Sequence, residues 1–289
     1  MKRFLVIAAL LAGTVSAHAE VPPVDYYTPT GIAPAFFGPN AFPVPDMSDG
    51  RTSSDFKLEA YADSFWGTAV EGKDYTSDLF MRLTVPCFTP RVNFVMWGTV
   101  AEYCISGPEA NDYRGVSYDG MLRDCYAGDF YISADAMILA QEANGVDLTA
   151  RMALKTASGH RFHYARYYDS PGYFFDASIG RSFSSADEHI RARIALSTGF
   201  LCWQTDVRRQ NDAVMYGVHA SVAAGDFRLS AEYGGYVGWE KHGDAPMTLK
   251  TCLSYAFGSI TLKLQHQAGL ADWPFHQIRF GAEYRFNFR

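Results

Sequence analysis

From residue 53 to the end of the 289-residue chain, apolar and polar residues alternate along the sequence. A period of two is typical of β-strands with one apolar and one polar face, and helical spacing is not sustained anywhere. The pattern predicts twelve strands, near residues 54–68, 77–88, 91–105, 125–140, 146–157, 173–184, 189–203, 213–224, 226–239, 247–257, 259–269 and 277–288.

The connections between these strands alternate between short and long. Tight turns are predicted at 89–90, 142–145, 185–188, 225–226 and 258–259, and longer loops near 69–76, 106–124, 158–172, 204–212, 240–246 and 270–276. Membrane barrels have short periplasmic turns and longer outer loops. We therefore expect an all-β fold, a 12-stranded antiparallel up-and-down transmembrane β-barrel with both chain ends in the periplasm.

Strand length distinguishes a membrane barrel from a soluble sandwich, which also alternates. The strands run to about 11–16 residues, whereas a tilted membrane strand needs about 9–11 and ordinary strands average about 5–6. Trp66, Trp203, Trp239 and Trp273 fall at the loop ends of strands, where an interfacial aromatic girdle is expected. Trp97 falls in mid-strand with ambiguous parity, and a bulge is one explanation.

Two segments precede the barrel, which we assign to residues 53–289. Residues 1–19 read as a signal peptide, with Lys2 and Arg3, an apolar run and an Ala-x-Ala cleavage site. Residues 20–52 hold seven of the 13 prolines and cannot form a regular strand. We expect an N-terminal periplasmic segment that either plugs the barrel or acts as a tether.

Composition narrows the classes of partner. Without Lys2 and Arg3, 23 basic and 31 acidic residues remain, a net charge of −8, which argues against a nucleic-acid partner. After the signal no apolar run reaches the 18 residues of a membrane helix. The five cysteines are odd in number and scattered; Cys104 and Cys125 either pair or remain free. No cofactor motif is present, so none is predicted.

The signal peptide, the repeated hairpins and the final AEYRFNF stretch resemble Gram-negative outer-membrane β-barrel proteins as a class. The resemblance covers residues 53–289 and implies an outer-membrane location, with lipid around the barrel. Such chains usually end in an aromatic residue, whereas here Phe288 is penultimate and Arg289 is last. Twelve-stranded members of the class include small-solute channels and a phospholipase, so the fold does not decide the function.

The inward-facing charges suggest a channel for small polar or anionic solutes. The first half of the barrel is predicted to carry an acidic wall of Glu59, Asp63, Asp129, Asp135 and Asp176, and the second half a basic wall of Arg191, Arg193, Arg228, Lys250, Lys263, Arg279 and Arg285. Opposed charges of this kind orient and select solutes in pores. Alternatively, the charges form a closed, ion-paired lumen. The arginines near the short turns are expected to bind an anion or to dock Asp25, Asp46 and Asp49.

Two other functions remain open from the sequence. The loop near 158–172 contains Ser158, His160, His163, Asp169 and Ser170, the residue types of a hydrolase, although their spacing matches no motif and we assign no catalytic residue. His160, His163, Tyr164, Tyr167 and Tyr168 also suggest a binding surface for a sugar or lipid headgroup, and His160-x-x-His163 lacks a third metal ligand. An assembly barrel that holds a periplasmic partner through residues 20–52 is the other alternative.

Overall fold

A computed structural model describes residues 32–206, 209–239 and 241–286. The expected signal peptide, residues 20–31 and the C-terminal Phe288 and Arg289 lie outside this part of the chain. The described strands are β1 Phe56–Gly67, β2 Asp74–Cys87, β3 Thr89–Ser106, β4 Leu122–Tyr126, β5 Phe130–Leu139, β6 Asp147–Lys155, β7 Gly172–Ser184, β8 Ile190–Asp206, β9 Arg209–Ala224, β10 Phe227–Val237, β11 Met247–Phe257, β12 Ile260–Ala271 and β13 Phe275–Phe286.

The strands form one closed antiparallel barrel. Apart from β4 and β5, which both pair with β3, each strand pairs with its neighbours in the chain, and β13 returns to β1, with Phe286 opposite Phe56 and Phe275 opposite Gly67. We call the end with the connections at 88, 140–146, 185–189, 225–226 and 258–259 the short-turn end, and the opposite end the long-loop end. The predicted twelve-stranded up-and-down topology is confirmed.

The wall holds one strand more than the sequence pattern predicts. The stretch expected as one strand at 125–140 is divided into β4 and β5, which lie end to end against β3. Between them Gly128 donates its amide to the carbonyl of Thr99 at 2.9 Å. A Cβ on Gly128 would lie 2.4 Å from the Tyr167 hydroxyl, so the break leaves room for a side chain that enters from the loop.

One face of almost every strand is apolar and points away from the lumen. On β8, for example, Ile194 and Leu196 are exposed outside the barrel, whereas Arg193 and Ser197 face inward and are buried. Because the barrel exposes such residues around its wall, hydrocarbon is the medium that this surface fits. Among the described residues, no helix has the length and apolarity needed to cross a membrane.

The tryptophans are distributed differently from the prediction. Trp66 and Trp239 lie on the outside, but the assignment of Trp203 and Trp273 to the lipid girdle is wrong because both are buried inside. Trp203 shares the inward parity of Arg193 on β8, which accounts for its direction. Trp97 also lines the lumen, and a bulge at Val100 lets both Thr99 and Glu102 face inward.

The two short helices lie in connections. Helix α1, Pro108–Arg114, lies at the long-loop end and stops at Gly115, whose φ of 72° favours glycine. Helix α2, Gln141–Asn144, is a single turn at the short-turn end. Cys104 points into the barrel and Cys125 away from it on the paired strands, so the two remain free thiols.

Candidate functional site: the lumen

A non-strand segment of residues 33–53, which we call the inner segment, runs along the lumen. Its first residues lie at the long-loop end, where Ala35 donates its amide to the carbonyl of Gly243 at 3.1 Å. Its last residues lie at the short-turn end, where the amide of Ser53 donates to Asn93 at 2.6 Å. The described chain therefore passes from the long-loop end through the lumen before it enters β1.

The half of the inner segment nearer the long-loop end packs into an aromatic layer. Phe37 and Phe42 lie edge to face, with their ring centroids 5.3 Å apart, and contact Tyr168 and Trp203. The Trp273 indole nitrogen donates to the carbonyl of Pro39 at 3.0 Å. These rings are mostly buried, so the inner segment packs closely against the wall and the loops at the long-loop end.

A buried polar network lies beside this layer. Glu102 accepts hydrogen bonds from Arg166 at 2.9 Å, from Tyr126 and Tyr167 at 2.7 Å each, and from Asn40 at 2.8 Å. Burial, with the Glu102 carboxylate next to it, raises the pKa of the Tyr167 hydroxyl well above its usual value, which keeps that hydroxyl a donor. The network joins the wall, the loop and the inner segment.

Further toward the short-turn end, Asp46 occupies the middle of the lumen. Its carboxylate accepts hydrogen bonds from Arg82 on β2 and from Lys250 on β11. Its backbone carbonyl accepts a third bond, 2.9 Å long, from Arg151 on β6. These cations come from three separate parts of the wall, so the segment is held across the full width of the barrel.

The neighbouring Met47 fits into a notch in the wall. Gly217 on β9 and Gly234 on β10 are directly opposite each other in the ladder. A Cβ on Gly217 would lie 2.0 Å from the Met47 sulfur, and one on Gly234 would lie 2.9 Å from its methyl carbon. The notch therefore depends on two residues that have no side chain.

Most charges of the two predicted walls form ion pairs, and two of these pairs join one wall to the other. Asp63 meets Arg279 at 2.5 Å, and Lys263 meets both Glu59 at 2.7 Å and Glu283 at 2.8 Å. The physical reason is ring closure: β1 from the acidic half lies beside β13 from the basic half. Further pairs join Asp129 to Lys155, Asp176 to Arg151, Arg193 to Asp147, and Arg285 to Glu283.

Two of the predicted cations differ from the rest. Within the described part of the chain, Arg191 and Arg228 have no carboxylate within ion-pair distance. Both are opposite Ala223 in the ladder, one on either side, so their Cα atoms are about 10 Å apart across a small residue. They form a basic mouth at the short-turn end.

Residues of the inner segment and of the barrel wall line a cavity of about 630 Å³. Its lining includes Asp46, Arg82 and Lys250 at one level, and Arg191 and Arg228 near the mouth. Of the predicted acidic residues, Glu59, Asp129 and Asp135 also line it. A polar, charged cavity of this size accommodates a small solute.

The loop residues predicted from sequence do not converge on one site. His160, His163, Tyr164 and Tyr168 are half-buried, whereas Tyr167 is fully buried against Glu102 and so cannot form an accessible binding surface. The hydroxyl of Ser158 bonds with Thr156 at 2.8 Å. Ser170 donates to the carbonyl of Gln204. Both serines thus have partners other than histidine.

Sequence reasoning missed the partners of Asp46 and the role of Arg166. Asp46 was expected on the arginines near the short turns, but it binds Arg82 and Lys250, 36 and 204 residues away in the chain. Nothing in the local pattern marks these contacts. Among the described residues, no group of three or more metal-ligating side chains lies close enough together to hold an ion.

Comparison with known proteins supports the fold. No protein family and no curated protein matches the sequence. An outer membrane channel from Pseudomonas putida F1 is 15% identical in sequence, with a TM-score of 0.54, covering 92% of this chain and 100% of that one. The KdgM porin and the NanC porin are each 10% identical, with TM-scores of 0.48, covering 80% and 79% of this chain and 99% and 100% of theirs. The similarity to the P. putida protein, together with the closed strand order, shows that the chain has the fold of an outer-membrane β-barrel.

Proposed function

We propose that this protein is an outer-membrane channel for small polar or anionic solutes whose lumen the inner segment closes. The observation that carries the proposal is the charged cavity of about 630 Å³ inside a closed barrel. Twelve strands give an interior between that of a side-chain-filled eight-stranded barrel and that of a sixteen-stranded porin. The interior is wide enough for a pore, and a length of the protein's own chain fills it.

The contacts of the inner segment are of a kind that can be exchanged. It is held by ion pairs at Asp46, by single hydrogen bonds such as the one from Gly38 to Ala165 at 2.7 Å, and by aromatic packing. None of these is a strand ladder, so the segment can leave the lumen while the hydrogen-bonded wall remains closed. Displacement of the segment opens a path lined by Arg82, Lys250, Lys263 and Arg279.

The orientation in the membrane follows from the connections. We place the short turns in the periplasm and the long loops outside, as in other barrels, with residues 1–19 as the export signal. The basic mouth then faces the periplasm. That the P. putida protein of similar fold is named an outer membrane channel supports the same function here. A partner bound through residues 20–52 stays a prediction, but in this orientation the inner segment begins outside, since Ala35 contacts Gly243 at the long-loop end, and only its last residues reach the periplasmic side.

Conductance in planar bilayers tests the proposal. We compare the chain from residue 20 with a variant that lacks residues 20–52, and check that both are folded by their heat-dependent gel mobility. The deletion removes Asp46 and Asp49 along with the closing segment, so we expect larger currents that prefer anions, measured as a reversal potential in a salt gradient. If neither protein passes current while both are folded, the channel function is refuted.

A further inference from the structure

Asp46 is bound in the way that a small anionic ligand would be bound. Arg82 and Lys250 contact its carboxylate from two sides of the lumen, and Arg151 contacts its carbonyl from a third. In the ring of strands, β2, β6 and β11 are spread around the circumference. Arg82 and Lys250 thus form a cradle for one carboxylate at the centre of the lumen, and Arg151, which is also paired with Asp176 at 2.7 Å, lies beside it.

The two cations depend on Asp46 for a close partner. Without it, Arg82 retains Glu59 at 3.8 Å and Lys250 retains Glu232 at 3.6 Å, and both of these carboxylates have other partners. Glu59 is already paired with Lys263 at 2.7 Å. Partly buried cations without a close counterion are costly, so departure of Asp46 leaves a site that requires another anion.

The site can be reached from the cavity. About 34% of the Asp46 side chain remains exposed, and it borders the same cavity as its two partners. The mouth of this cavity carries Arg191 and Arg228, whose charges attract anions. On the other side, the aromatic layer around Phe37 and Phe42 blocks access. A solute approaching from the short-turn end therefore meets the carboxylate before it meets the hydrophobic packing.

We propose that Arg82, Lys250 and Arg151 form a binding site for a carboxylate-bearing solute, and that Asp46 is a tethered competitor that occupies this site in the closed state. The solute's carboxylate exchanges for that of Asp46, and the freed segment then leaves the lumen. This inference rests on the proposed channel function, because it names the class of solute and the event that opens the pore.

Binding in detergent solution tests the inference without any current. Isothermal titration calorimetry measures succinate binding to the chain from residue 20, with the neutral succinamide as the matched probe. Asp46→Asn removes the competing charge but keeps the side chain's shape. Asp55→Asn is the matched control, since Asp55 follows the inner segment and, among the described residues, its hydrogen bonds are with Ser53 and Ser54. Gel mobility verifies that every variant is folded.

We expect Asp46→Asn to bind succinate at least tenfold more tightly than the unchanged protein and Asp55→Asn, and none of them to bind succinamide. Adding Lys250→Gln to Asp46→Asn is expected to abolish the gain. In Asp46→Asn, raising the chloride concentration should weaken binding, which checks the site without a further substitution. Equal affinities of Asp46→Asn and Asp55→Asn overturn the inference, as does binding of succinamide. A barrel that conducts but does not bind refutes only this inference; one that binds but never conducts refutes the channel.

Discussion

Loss of the Arg166 guanidinium should detach the loop between β6 and β7 from the barrel wall. Arg166 and Glu102 are almost fully buried, and Arg166 also donates to Tyr126 at 2.7 Å and to Thr76 at 2.6 Å. Replacing Arg166 by Met leaves the Glu102 carboxylate buried beside fewer donors. Breaking a buried pair by removing one partner costs about 3–5 kcal/mol. We therefore expect opening of the loop to become more favourable by this amount.

Hydrogen–deuterium exchange with mass spectrometry measures this opening directly. At about 1.4 kcal/mol per factor of ten, protection of peptides covering residues 159–168 should fall by two to three and a half orders of magnitude. A peptide from β9 serves as the internal control, because the wall ladder does not depend on Arg166. The double variant Arg166→Met/Glu102→Leu removes both charges and should recover most of the protection. Additive effects of the two single changes, or a loss below tenfold in Arg166→Met, would refute the reasoning.

Two further predictions concern the lipid face and alkaline pH. Leu196→Arg places a charge in mid-strand on the outer face and should lower the free energy of unfolding in lipid vesicles by about 2–4 kcal/mol. Ile190→Arg, on the same face at the strand end, should lower it by about 0–1 kcal/mol. Equal losses for the two variants in urea titrations would contradict a membrane-embedded wall. The raised pKa of Tyr167 means that its stabilising contribution is complete below pH about 10 and is lost as pH rises further. The hydrogen-exchange protection of peptides covering residues 159–168 should therefore decline above that pH, and the decline should be shallower in Tyr167→Phe. The same pH dependence in Tyr167→Phe and the unchanged protein would show that ionisation of Tyr167 is not coupled to loop opening.

The barrel could be predicted because strand pairing in a meander is local. Apart from β4 and β5, which share β3 as partner, each strand pairs with the next one in the chain, so alternation and turn length specify the wall. Among the described strands, the join of β1 to β13 is the one pairing between strands that are distant in sequence. The sequence could also have predicted that Trp203 points inward, since it shares its parity with Arg191 and Arg193. Position at a strand end suggested a girdle residue, but parity is the stronger signal in a strand with two different faces.

The interior could not be predicted to the same depth. Prolines exclude a regular strand in the inner segment, but they do not indicate which wall residues it contacts. The partners of Asp46 come from β2, β6 and β11, and no periodic pattern relates them. The Met47 notch needs Gly217 and Gly234 to be opposite each other, which only the register of β9 and β10 reveals. The closure of the barrel likewise places the predicted acidic wall next to the predicted basic wall, so that Asp63 and Arg279 form an ion pair instead of lying on opposite sides.

The central claim is that the inner segment itself closes the lumen, and a reversible crosslink tests it most directly. In a protein whose five native cysteines are replaced by Ala, Met47→Cys and Gly217→Cys bring two thiols together, because a Cβ on Gly217 would lie 2.5 Å from the present Met47 Cγ. With the disulfide formed, single-channel recordings in planar bilayers should show no openings. Reduction of the disulfide should restore the openings seen with the cysteine-free parent protein. Identical currents in the oxidised and reduced protein would contradict the account.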